Sequence, residues 1–134
     1  MTHLLDTSAW LTHLFGEAGA VEVRQIFNDP HSQVFVSALS LLEVYGRLKG
    51  LRREGHWPAI HKAYAAVFTK VLPVDEHIAA MAIQLRAATP ARLPSIDGLI
   101  AATAVVNDLT LVHRDSHLLA IPAEVLRQTQ LPDK

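Results

Sequence analysis

Four acidic side chains stand among apolar neighbours at widely separated points of the chain: Asp6 in "LLDTS", Glu43 in "LSLLEVYG", Asp97 in "PSIDGLIAATA" and Asp115 in "LVHRDSH". A charge buried among apolar residues is costly unless it is paired or bound to an ion. If folding gathers these carboxylates, they repel one another and a cation becomes their natural partner. An all-oxygen donor set suits a hard ion such as Mg²⁺ or Mn²⁺ rather than zinc. Such ions act on phosphodiesters by polarising the phosphoryl oxygen and activating water. The chain has no cysteine, which removes disulfides, thiolate metal sites and a cysteine nucleophile.

Each acid also has a purely structural reading. Ser40 and Glu43 fit the S-x-x-E capping box. Asp97 falls in a first helical turn, where the macrodipole favours a negative charge. Asp115, ahead of "SHLLA", can cap a short helix. Asp6 resists such a reading most, because Asp is depleted from buried strands. Thr7 and Ser8 are candidate caps for the helix that follows it, and Ser8 could also bond an ion's water. A phosphoryl-transfer domain with an aspartyl nucleophile would need D-x-D here, and Ser8 stands in the second position.

The elements that must position these groups follow from the hydrophobic pattern. Short apolar strands are expected at 3–6, 33–37, 71–74 and 110–114, with a weaker candidate at 124–127. Helices are expected at 7–15, 18–27, 38–54 (stopping at Gly55), 58–70, 75–88 with Asp75 as N-cap, and 95–106 with Ser95 as N-cap. The third helix should bury Ala38, Leu41, Leu42, Tyr45 and Leu48; the last, Ile96, Leu99, Ile100, Thr103 and Ala104. Alternating strands and helices imply an α/β fold with a largely parallel sheet. Ligands of such sheets collect outside the carboxyl ends of the strands. Asp6 and Asp115 close strands at that edge, and Glu43 and Asp97 lie near the starts of helices that could join them.

With 134 residues, 50% of them hydrophobic, the chain can bury a core and reads as one domain over 1–134. Its net charge of −1 argues against a strongly basic, non-specific nucleic-acid binder. No apolar run approaches the roughly 18 residues needed to span a bilayer. No basic segment leads into an apolar one as in a secretory signal, so a cytoplasmic location is expected. The basic run "RLKGLRR" holds Arg47, one turn beyond Glu43, together with Lys49, Arg52 and Arg53. Trp10 and Trp57 read as core or interface residues.

The segments "LLDTSAWL", "SALSLLEVYGRL" and "PSIDGLIAATAVVNDLTLVHRDSHL" resemble the PIN-domain ribonucleases, specifically the VapC-type toxins of bacterial toxin–antitoxin pairs. The resemblance covers nearly the whole chain and keeps the order of the motifs. It implies a three-layer α/β/α domain around a short, largely parallel sheet. It also implies an endoribonuclease that uses Mg²⁺, or Mn²⁺, to cut single-stranded or loop RNA, leaving a 5′-phosphate and a 3′-hydroxyl. Asp6, Glu43, Asp97 and Asp115 would be its catalytic and metal-binding acids, with Ser8 beside them and Arg47 and Arg114 as RNA contacts. A homodimer and a cognate antitoxin covering the site are implied as well.

The chain departs from the family pattern at two points. His113 stands where Thr or Ser is usual. His117, followed by Leu118, stands where many members carry a further acid. His117 is therefore expected beside the ligands or at the surface, with a borderline ligand or a proton shuttle as the alternative, and the rival reading is a PIN-like module that binds RNA or a partner without cutting. His113 and His117 are four apart but straddle a strand end, so they do not form a helical zinc pair.

Overall fold

The computed structural model describes residues 1–133. At its centre lies β1 (Thr2–Leu5), whose Leu4 and Leu5 are completely buried on opposite faces of the sheet. Hydrophobic side chains on both faces require cover on both, and parallel strands joined through helices supply it. β1 pairs with β2 (Gln33–Ser37) on one side and β4 (Thr110–His113) on the other; β3 (Lys70–Leu72) and β5 (Gln128–Gln130) form the edges. The five strands run in the order β3-β2-β1-β4-β5, and every pairing is parallel. Leu4 sits opposite Phe35 and Leu111 in register.

The helices complete a three-layer α/β/α fold. α5 (Glu76–Ala88) and α6 (Ser95–Val106) cover the face that Leu4 and Leu111 present. α6 is buried at six positions, Gly98, Ile100, Ala101, Ala102, Thr103 and Ala104, and the small residues let it lie between α5 and the sheet. On the other face, α1 (Thr7–Phe15) and α2 (Ala20–Asn28) pack over Leu5, Val34 and Val112. α3 (Ala38–Gly50) and α4 (Trp57–Ala65) close around Trp10, which is fully buried. The Trp10 ring lies 5.0 Å from Phe68, 5.3 Å from Tyr64 and 6.2 Å from Trp57, so α1 is pinned by an aromatic cluster. Among the described residues no helix is long and apolar enough to cross a membrane.

Several expected boundaries and faces differ in the structure. α3 buries Ser40, Val44 and Leu48 instead of the expected stripe; Leu42 is 72% exposed, Ala38 is exposed, and Leu41 and Tyr45 are half-buried. The helix is rotated because Ser40 meets Thr7 of α1 while Val44 and Leu48 meet Trp10. α3 also stops at Gly50, not at 54. Arg52 turns to a φ of 58°, and the Arg53 amide bonds back to the Leu48 carbonyl at 2.7 Å. α4 ends at Ala65, because the Val67 and Phe68 amides both bond the Tyr64 carbonyl and free the chain to form β3. The fifth strand is at 128–130, not 124–127. The Pro122 carbonyl accepts from Val125 and Leu126 in a turn that drops Leu126 into the core. Ser95 does not cap α6; its hydroxyl accepts from Arg86, and Pro94 holds the N-cap position. Asp75 caps α5 as expected, accepting from the Ile78 amide.

Candidate active site

From β1 the chain leaves the sheet outward on one side through β2 and β3, then returns to β1's other flank as β4. The β1/β4 boundary is therefore the topological switch point, where the carboxyl ends of an open parallel sheet leave a crevice. Asp6 directly follows β1 and its amide bonds the Val112 carbonyl of β4 at 3.1 Å, while Asp115 lies two residues beyond β4.

Asp6 is only 4% exposed. It is itself the N-cap of α1, in place of Thr7 or Ser8: its Oδ1 accepts from the Ala9 amide at 2.9 Å and from the Ser8 hydroxyl at 2.6 Å. Burial pushes its carboxyl up to about 7 against the pull of those two donors, and the charges of Asp97 and Asp115 push the same way. Asp97, in the first turn of α6, is raised to about 6 by burial, by the hydrogen bond it shares with Asp115, and by the charges of Asp115 and Glu43. Burial pushes Asp115 upward too. The His117 amide, the Asp97 side chain and the His117 imidazole outweigh burial and hold Asp115 below its ordinary value. Asp115 also caps the 3₁₀ turn Ser116–Ala120, so its structural reading and its place in the site coexist.

Glu43 acts on Asp97 through its charge from α3. The capping-box reading fails here, because Ser37 is the N-cap, accepting from the Leu39 amide, and Ser40 lies inside the helix. Ser40 and Glu43 are joined instead through Thr7: the Thr7 hydroxyl donates to Glu43 Oε1 at 2.5 Å and lies 2.9 Å from the Ser40 hydroxyl. With the Thr7 proton given to Glu43, Ser40 must donate to Thr7.

Asp97, Asp115 and His117 each present a ligand atom within 4.8 Å of the others. Asp6 and Glu43 stand outside that compact group, but Glu43's charge acts on Asp97, and the charges of Asp97 and Asp115 act on Asp6. His117 has a side chain 63% exposed and its Nδ1 lies 2.8 Å from Asp115 Oδ1. The donor set is thus mostly carboxylate with one imidazole, and it is held together against its own repulsion. That chemistry fits a hard divalent cation, with Mn²⁺ tolerating the imidazole.

His113 is not part of this group. It is completely buried at the end of β4, bonded to Gln128 and to the Asp115 amide, and burial holds its pKa below the ordinary value. Arg114 is tied down: its guanidinium pairs with Glu17 at 2.9 Å and reaches the Ala18 carbonyl, and its amide donates to Ser8. Arg47 is exposed and shares with Arg114, Ser8, Leu11, Phe15 and Glu17 a cleft of about 220 Å³. Lys49, Arg52 and Arg53 are exposed as well. Trp10 is core, and Trp57 stacks on His61 with ring centroids 5.1 Å apart. The sequence reading missed Thr7 as the group that holds Glu43, and Gln128 altogether. Thr7's position inside "DTS" was the only signal for the first, and nothing local marked the second.

The chain matches the PIN domain family over residues 3–124, and it belongs to that family. Its fold is similar to that of VapBC2 from Rickettsia felis, solved bound to a DNA fragment from their promoter: TM-score 0.80 at 14% identity, covering 97% of this chain and 98% of that one. FitAcB from Neisseria gonorrhoeae is 26% identical, with a TM-score of 0.70 over 96% of this chain and 97% of that one. VapC20 of Mycobacterium tuberculosis, described as a sarcin–ricin-loop-cleaving toxin, gives a TM-score of 0.66 at 20% identity, covering 90% and 94%. No curated protein matches the chain.

Proposed function

We propose that this chain is a divalent-cation-dependent endoribonuclease and the toxin half of a toxin–antitoxin pair. Membership of the PIN family and a fold shared with toxin–antitoxin proteins support the class. The observation that carries the chemistry is the electrostatic state of the crevice. Asp97, Asp115 and His117 present ligand atoms within 4.8 Å of one another, and burial first, with neighbouring acids adding to it, raises the Asp6 and Asp97 carboxyls to about 7 and about 6, so a cation would relieve the crowding.

Asp6, Asp97 and Asp115 would hold Mg²⁺ or Mn²⁺, and Glu43 would join them or orient the attacking water. The bound cation would polarise the scissile phosphoryl group and lower the pKa of that water. The chain's own residues hold the acids in place. Ser8 and the Ala9 amide fix Asp6, Thr7 and Ser40 fix Glu43, and the His117 amide fixes Asp115. Single-stranded or loop RNA would approach along the cleft beside Ser8. There Arg47 forms no ion pair among the described residues and can contact a phosphate, while Arg114, neutralised by Glu17, forms the wall. The products would carry a 5′-phosphate and a 3′-hydroxyl. A cognate antitoxin would silence the enzyme by offering an Arg or Lys to the acidic crevice, and a homodimer is the expected assembly.

Asp6→Asn tests the reading directly. Asn is an equally good N-cap, so α1 keeps its start while the site loses a charge. RNA cleavage should fall at least 100-fold with the circular dichroism spectrum unchanged, and chelation with EDTA should abolish wild-type cleavage. Full activity in purified Asp6→Asn protein overturns the assignment. His117, an imidazole in a cluster of acids, favours the second reading, a module that binds RNA without cutting. RNA binding with no cleavage across a Mg²⁺ and Mn²⁺ titration would establish it.

A further inference from the structure

His113 carries two hydrogen bonds whose directions fix each other. Its Nδ1 lies 3.1 Å from the Asp115 amide nitrogen, and a backbone N–H can only donate. Nδ1 is therefore the bare, accepting nitrogen, and the ring proton sits on Nε2. Nε2–H in turn faces Gln128 Oε1 at 2.8 Å. The Gln128 amide nitrogen completes the chain by donating to the Leu118 and Ile121 carbonyls, each at 3.1 Å. Turning the Gln128 amide over would set its NH₂ against Nε2–H and its oxygen against two carbonyls, so the orientation is determined. The imidazole is fully buried, and all four groups along the path are satisfied.

The path links β5 to the crevice. Gln128 is paired in register with Leu111 of β4, and its amide grips the middle and the C-cap of the 3₁₀ turn that follows Asp115. His113 then holds the Asp115 amide, while the His117 amide holds the Asp115 carboxylate. A serine or threonine at position 113 could accept from the Asp115 amide. Only a ring with a second nitrogen on its far side also reaches Gln128.

We propose that His113, locked as the Nε2–H tautomer by Gln128, is the positioning residue that aims the Asp115 carboxylate into the metal-binding crevice. The inference rests on the divalent-cation reading of the site. It assigns to the closing strand β5 a part in building that site, since the strand sets Gln128, Gln128 sets the ring, and the ring sets the acid. Groups that orient ligands in this way typically change metal affinity 10–100-fold when removed.

Two variants of similar size separate positioning from packing. In His113→Asn the side-chain oxygen replaces Nδ1 and can still accept from the Asp115 amide, but contact with Gln128 is lost. In His113→Gln the amide reaches Gln128 but leaves the Asp115 amide without its acceptor. Mn²⁺ binding, read by electron paramagnetic resonance in the absence of RNA, should weaken about 10-fold or more in His113→Gln. In His113→Asn it should stay within about threefold of wild type. Thermal melts show whether both remain folded. The long-range ¹H–¹⁵N spectrum of the wild-type protein, taken without metal, should contain one imidazole with a fixed Nε2–H and an accepting Nδ1. Equal Mn²⁺ affinity in both variants, losses that merely track their melting temperatures, or an Nδ1–H tautomer would each overturn the proposal. Wild-type protein that holds the tautomer but binds no Mn²⁺ overturns the cation reading instead, and leaves His113 a core contact with nothing to aim.

Discussion

Asp6 serves two purposes with one carboxylate. Its Oδ1 takes both the Ala9 amide and the Ser8 hydroxyl, which start α1 and fix the side chain. The remaining oxygen is left for the crevice. Thr7, the next residue, does for Glu43 what Ser8 does for Asp6. Thr7→Val keeps the shape but removes the hydroxyl, leaving Glu43 and Ser40 without their partner. In the proposed enzyme this should lower kcat about 10-fold with little change in KM, at a stability cost of about 1–2 kcal/mol. Steady-state cleavage of a short RNA together with urea denaturation would measure both. Wild-type kcat in the variant would mean that Glu43 needs no such support.

At the scale of elements, the crevice is built by the ends of strands and the beginnings of helices. β1 delivers Asp6, β4 delivers Asp115, α6 offers Asp97 from its first turn, and α3 brings Glu43 from its second. α3 faces the crevice because it is rotated to seat Val44 and Leu48 against Trp10, and the same rotation leaves Leu42 in solvent. The end of α3 offers a test well away from the chemistry. Arg52 adopts a φ of 58°, a left-handed conformation that costs most side chains about 1 kcal/mol. Arg52→Gly relieves that strain against the roughly 0.5–1 kcal/mol of chain entropy that glycine loses on folding, so it should stabilise the protein by up to about 0.5 kcal/mol with cleavage unchanged, as read by the midpoint of urea unfolding. A loss of stability there would mean that the guanidinium makes a contact worth more than the backbone strain.

For the molecule as a whole, gathering the acids costs the metal-free fold stability that a bound cation would return. The raised carboxyls of Asp6 (about 7) and Asp97 (about 6) hold protons in the folded protein that the unfolded chain has released. Between about pH 4 and 7 their contribution therefore destabilises the metal-free fold as pH rises. Asp115, held low, works in the opposite direction and loses its contribution only at acid pH. The melting temperature in EDTA should fall by on the order of 5 °C from about pH 5 to about pH 7.5. Saturating Mn²⁺ should reverse that trend, because the cation binds only the ionised, folded site. A flat profile in EDTA, or no effect of Mn²⁺ at the higher pH, would show that the acids do not act as one cluster.

Much of this was legible in the sequence because its signals are local. Short apolar runs marked β1, β2 and β4 near their true positions, Asp75 marked the start of α5, and three acids fell at element ends, where the order of strands and helices places a parallel sheet's crevice. What the sequence could not express were relations between distant segments. The buried face of α3 depends on Trp10, some 34 residues before Val44, and the capping-box spacing of Ser40 and Glu43 was overridden by Thr7. β5 was misplaced because a short edge strand carries no hydrophobic alternation, and Gln128 carries no local mark of its partnership with His113. Periodicity and residue type thus determined which elements form and which acids they carry. Tertiary packing alone decided how each helix turns about its axis and which polar side chains meet, because those outcomes depend on atoms far apart in the chain.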